Sequence, residues 1–194
     1  MMKITSRLRR IHFLCRCAAL LLAIGGTAKA TTLMRMSVAQ MSRAAQVIVR
    51  ARCQENSTGW DAGEIWTFTS FEVQDVWRGS APSRITVRLL GGRAGNLTSS
   101  VSGVPRFRVG EEVVLFLERT PRGDFCIVSW EQGTFRIRRT AATGSESVTQ
   151  DSASFATFDR GTREFESAGI RNLPIETLRA QVDAAVSAEA RRKQ

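Results

Sequence analysis

The chain of 194 residues has no tyrosine and a single histidine, His12. Lys3, Lys29 and Lys193 are its only lysines. Beyond residue 30 no imidazole is left to accept a proton, so Ser-His-Asp and Cys-His sites are excluded. Lys193 stands one residue from the end and cannot be the desolvated base of a Ser-Lys dyad. Histidine-built zinc sites fall away too, and Cys53 with Cys126 cannot make a four-sulfur site. We expect no metal and no cofactor. Carboxylates alone remain for acid–base work. Beyond residue 30 no apolar run is long enough to span a bilayer, so no transmembrane segment is expected.

The first thirty residues lack acids altogether. Lys3, Arg7, Arg9, Arg10 and Arg16 precede an apolar run from Cys17 to Ile24, and Ala28-Lys29-Ala30 closes it. Charge, a short apolar run and an A-x-A box, in that order, read as a secretory signal peptide over 1–30. We therefore expect an exported protein, periplasmic or secreted, beginning near Thr31. The residues before Cys15 and Cys17 form no lipobox, and His12 spoils a twin-arginine reading of Arg9-Arg10. The leader holds six of the 28 basic residues, so the net charge of +10 falls to about +4 beyond it. Arg191, Arg192 and Lys193 form a basic tail. What is left is too nearly neutral for a nucleic-acid partner.

The remaining residues suit one domain. Ser37 caps a short helix over 37–45, with Gln40 in the capping-box position. Val47–Cys53 alternates as a half-buried strand. Residues 55–63 are polar and read as a loop that carries Trp60. Residues 64–79 are rich in aromatic and β-branched types and too long for an ordinary strand. Their apolar parity switches between Val73 and Val76, which calls for a bulge or strong bend near Gln74-Asp75. A strand over 84–92 leads into a glycine-rich excursion that lacks any phosphate-binding spacing. The run at 113–117 is apolar on both parities and reads as buried on both faces. Arg122-Gly123-Asp124 is a hairpin turn before the next strand. Residues 140–172 read as a mobile Ser/Thr/Ala-rich connector, and 173–194 as an amphipathic helix with the basic tail. Ile175, Leu178, Val182 and Val186 make its apolar stripe.

Cys53 and Cys126 leave two readings open. In an oxidising compartment they make one disulfide, or they are two buried thiols. Glu111-Glu112 at a strand start point to opposite faces and cannot work as a pair. Thr31 would be an N-terminal nucleophile only if cleavage follows Ala30, which reads as coincidence.

From Ser37 to Ile137, about half the chain, the sequence resembles a class of exported bacterial proteins to which little function is assigned. The matching pieces are Val76-Trp77-Arg78-Gly79, Gly91-Gly92, Pro105 and Phe107 with Gly110 to Leu117, and Gln132 to Ile137. That class is similar to the OB barrels of netrin-like modules and tissue inhibitors of metalloproteinases. The resemblance implies a mainly β fold over 31–139, a small antiparallel OB-like barrel of five or six strands on residues 47–137. A short N-terminal helix and a C-terminal helix would flank it. The inhibitors place an N-terminal cysteine on a protease zinc; here the first cysteine after the leader is Cys53, so that mechanism is not implied. Ala45-Gln46 also replaces the usual acid before the first strand.

Two functional classes stay open. One is a non-enzymatic binding module with a protein or glycan partner. Its expected contacts are Trp60, Arg93 and Arg106, exposed together on one side of the barrel, because arginine and tryptophan dominate binding energies. The other is a carboxylate-only hydrolase of glycosidase type, with two acids facing across a cleft.

Overall fold

The computed structural model describes residues 34–154, 157–158, 163, 165–166 and 169–192. The expected leader and Thr31 lie outside them. Ser37 opens α1 (Val38–Ala44) with a capping box: its hydroxyl accepts from Gln40 N–H, and Gln40 Oε1 accepts from Ser37 N–H.

β1 (Val47–Asp61) and β2 (Glu64–Arg78) form one long hairpin. Ala62-Gly63 alone make its turn, with φ of 49° and 84°, a geometry that suits the right-handed twist of the strands. The polar stretch 55–63 is thus strand almost to its tip, not the loop its composition indicates. Pairing with β2 overrides the local preference. Asn56 is bonded on both sides, donating to Phe107 O at 3.0 Å and accepting from the Thr69 hydroxyl at 2.7 Å. Arg50 pairs with Asp75 and Ala51 with Val73, which leaves Gln74 as the extra residue of a bulge. A second bulge falls at Trp77.

β3 (Arg84–Leu90) follows, then a small hairpin of β4 (Gly92–Ala94) and β5 (Leu97–Ser99). β6 (Glu112–Arg119) pairs with Val47–Arg52 of β1, so the bent β1 serves two neighbours. β7 (Phe125–Ile127) pairs with β6 and touches β3 in parallel through one bridge, Val87↔Phe125. The ring β1-β2-β3-β7-β6 is an OB-like barrel whose β3–β7 seam is not fully closed. β8 (Thr134–Arg139) continues along β6, and β9 (Glu146–Gln150) pairs with β8. β10 (Thr157–Phe158) pairs with β11 (Phe165–Glu166), and β12 (Leu173–Pro174) with β9. The stretch expected to be a connector therefore contributes strand β9, whose Val148 is fully buried. α2 (Ile175–Arg192) ends the described chain.

Two cores share one sheet. Val47, Val49, Phe71, Val87, Val113, Leu115 and Leu117 fill the barrel. Ile48, Val114, Phe116 and Phe135 face outward and are covered by Met41 of α1 and Leu178 and Val182 of α2. The doubly apolar run of β6 follows directly: odd residues point inward and even residues lie under helices. Outside the barrel a charged ladder crosses the strands. Arg50 reaches Glu146 and Glu112 at 2.7 Å each, Arg52 reaches Glu112, and Arg139 reaches Glu146.

The expected disulfide is absent, and both cysteines are free. Strand parity is the reason. Cys53 points into the barrel core at 0% exposure. Cys126 stands between inward-facing Phe125 and Ile127 and therefore points out. For residues 31–194, thiol counting on the denatured, unreduced protein should give two thiols, with Cys126 reacting first in the folded state. A count of none would restore the bridge.

Candidate functional site

Alternation along β2 sends Ile65, Thr67, Thr69 and Phe71 into the barrel and turns Trp66 and Phe68 outward. On β3, Val87 and Leu89 are buried while Arg88 points out, paired in register with Phe68. The Arg88 guanidinium carbon lies 4.1 Å from the Trp66 ring centroid and 5.9 Å from that of Phe68. A cation held on tryptophan gains about 0.5–2 kcal/mol, more as it is desolvated. The Arg88 side chain is only 11% exposed. Among the described residues, its Nε and the Trp66 Nε1 are closed off from solvent without a hydrogen-bond partner.

Two connections frame this stack. From the hairpin tip, Asp61 accepts from Arg88 Nη2 at 2.5 Å and from Arg122 of the β6–β7 turn. Asp124, from the same turn, lies 3.9 Å from Arg88 Nη1 and accepts from the Thr120 hydroxyl. Arg122, and then Arg88, hold the Asp61 carboxyl down at about 2. Residues Arg122-Gly123-Asp124 thus form the hairpin turn and its ties to the barrel face.

Trp130 completes the site from the far side of the seam. It follows β7 in a short 3₁₀ turn, Trp130–Gly133. Ser129 and Trp130 both sit at φ of 51°, in the left-handed region that bulky side chains avoid. Between the Trp66–Arg88 stack and Trp130 lies an open pocket of about 460 Å³. Its walls are Leu89, Leu90, Val104 and Ile127, with Cys126 beside them and Asp61, Glu64 and Arg122 at the rim. Burial pushes the Cys126 thiol up, so it is mostly protonated at neutral pH. A larger groove of about 960 Å³ lies between α1 and α2; it is lined without an aromatic or an acid.

Trp60, Arg93 and Arg106 are all exposed, and none of them lines the pocket beside Trp66 and Trp130. Trp60 is 57% exposed, but it pairs with Ile65 and so stands on the opposite face of the hairpin from Trp66. Arg93 is exposed on β4, which packs on β1 near that tip. Arg106 is exposed yet spent on structure: it donates to Thr67 Oγ1 and Gly91 O at 3.3 Å and to Leu90 O at 3.4 Å. Trp66, Arg88 and Trp130 are not among the contacts that the sequence points to. The available signal was parity: Trp66 and Phe68 are large aromatics on the outward positions of β2.

For acid chemistry, Glu111 and Glu112 are divided as expected. Glu111 accepts from Arg136, and Glu112 from Arg50 and Arg52. Glu131 and Asp151 are the carboxyls whose surroundings push them upward. Burial, and then the Asp151 charge, push Glu131 up. Burial also raises Asp151, against the pull of the Arg136 guanidinium bonded to both its oxygens. Among the described residues no cluster of three or more His, Cys, Asp or Glu could hold a metal. No helix there is long and apolar enough to cross a membrane. The sequence matches no family model and no curated protein.

Two titrations follow. Asp61 should stay ionised to about pH 2 in a carboxyl NMR titration, and its ion pairs should fail only as the pH falls through that value. A midpoint near 4 would contradict the double tie. Glu131 has the opposite sign. Its folded pKa is raised, so the ionised form weighs against folding at neutral pH. Glu131→Gln should therefore stabilise by about 1 kcal/mol at pH 7. In urea unfolding that gain should vanish as the pH drops to the ordinary glutamate range near ~4.3; a gain independent of pH would contradict it.

Proposed function

We propose that this chain is an exported, non-enzymatic binding module whose contact surface is the outer β2–β3 face. The observation that carries the reading is the pocket between the Trp66–Arg88 stack and Trp130, framed by the β1–β2 hairpin tip and the β6–β7 turn. OB-like barrels commonly meet ligands on this face and at these two connections. Apolar and aromatic walls with a few fixed charges at the rim are the usual make-up of a recognition pocket. The lack of histidine and tyrosine beyond residue 30 supports binding over catalysis. The leader-like start of the sequence supports export, and the motifs shared with exported OB-barrel proteins agree with it. A carboxylate-only hydrolase is the second reading, and it rests on the raised pair Glu131 and Asp151.

The test is capture on immobilised residues 31–194 from periplasmic extract or culture medium. Arg122→Glu should weaken a captured partner severalfold, since it reverses a rim charge in an exposed turn. Trp60→Ala with Arg93→Ala should leave capture unchanged. Hydrolysis of chromogenic glycosides, abolished by Glu131→Gln, would overturn the binding reading in favour of the hydrolase.

A further inference from the structure

The β3–β7 ladder consists of Val87↔Phe125 alone. β3 runs on through Arg88, Leu89 and Leu90, with β2 along its other edge. Gly91 N–H donates to Ile65 O and Ser83 O accepts from Val73 N–H, so odd-numbered residues here turn their backbone groups toward β2. Even-numbered Arg88 and Leu90 turn theirs toward the seam. At Leu90, among the described residues, that edge is met by the long Arg106 contact of 3.4 Å to its carbonyl. The pocket lies beside this stretch, with Leu89, Leu90, Val104 and Ile127 open to it.

The rim decides what fits. Asp61 is taken by Arg88 and Arg122, and Asp124 by Thr120. A sugar would bury several hydroxyls, each in need of a partner, against walls made chiefly of Leu89, Leu90, Val104 and Ile127, while Asp61 and Arg122 at the rim already bond each other. An apolar side chain needs none. The strained pair Ser129 and Trp130, which holds an indole against the pocket, is the kind of local cost that marks a binding wall.

We propose that the pocket receives one bulky apolar side chain, of leucine or phenylalanine class, from an extended segment of a partner protein that aligns along β3 at the seam. The segment's backbone meets the open edge at Leu90, in the manner of strand addition, and its side chain supplies specificity. This rests on the binding-module reading and names its partner class.

The probe is a phage-displayed library of random peptides of about twelve residues, panned on residues 31–194, beside a glycan array. Enriched peptides should share one large apolar residue among strand-favouring neighbours. Cys126→Trp, or a pyrenyl maleimide attached to Cys126 of the folded parent, should fill the pocket and weaken the synthetic peptides roughly tenfold or more. Cys126→Ala and Trp60→Ala should leave affinity within about twofold of the parent. Circular dichroism checks each fold, and the labelled parent serves if the tryptophan variant does not fold. Peptides that bind equally well to the filled pocket would overturn the inference and leave the binding module standing. So would a glycan ligand, blocked by filling the pocket, with no peptide enriched. No ligand from either library, with glycoside turnover lost in Glu131→Gln, would remove both.

Discussion

Strand β6 is the constraint on which the rest depends. Val113 to Leu117 are all at 0% exposure, three facing the barrel and two facing the helices. A slip of one residue would exchange the two cores, so the register with β1 is strongly specified. The other edge of β6 is shared in succession by β7 and β8. Between them the chain must step along β6 in a short turn. Gly133 is needed at that step, because a Cβ there would lie 2.3 Å from Val128 O. Ser129 and Trp130 absorb the left-handed turn before it. The same step ends β7 after three residues, leaves β3 and β7 joined at one bridge, and sets Trp130 at the gap. The pocket is thus a consequence of how β6 divides its edge.

Around that strand, Gln132, Phe107 and Phe135 hold the barrel and do not line the pocket. Gln132 donates to Met34 O and accepts from Met36 N–H at 2.7 Å each, fixing the segment before α1. Phe107 meets Phe71 edge-to-face, with ring centroids 5.0 Å apart. Phe135 packs against Phe116 under the helices. Trp66, Arg88 and Trp130 do line it. Their arrangement comes from strand parity and the seam, which is why a likeness in fold carries no ligand with it.

Much of the architecture was legible because periodicity reports burial. The parity switch in β2 marks a bulge or bend near Gln74-Asp75, and the doubly apolar β6 marks burial on both faces. The hairpin tip was not legible. Its polar residues, Gln54 to Asp61, have no strand signature and become strand only through pairing with β2. β9 was hidden in the same way, within a Ser/Thr-rich stretch whose buried Val148 gave too little periodicity. The cysteines misled because distance along the chain says nothing of facing direction. Trp60 drew attention as a tryptophan in a polar stretch, whereas Trp66, six residues on, reaches the pocket through a register that only the paired hairpin defines.

The most direct measurement is hydrogen exchange on residues 31–194, free and bound to a captured partner. Binding at the seam predicts new protection at the backbone amides of Leu90 and of β7, with little change in β4 and β5. Protection confined to β4, β5 and the Trp60 face of the hairpin, with Leu90 and β7 unchanged, would contradict the account.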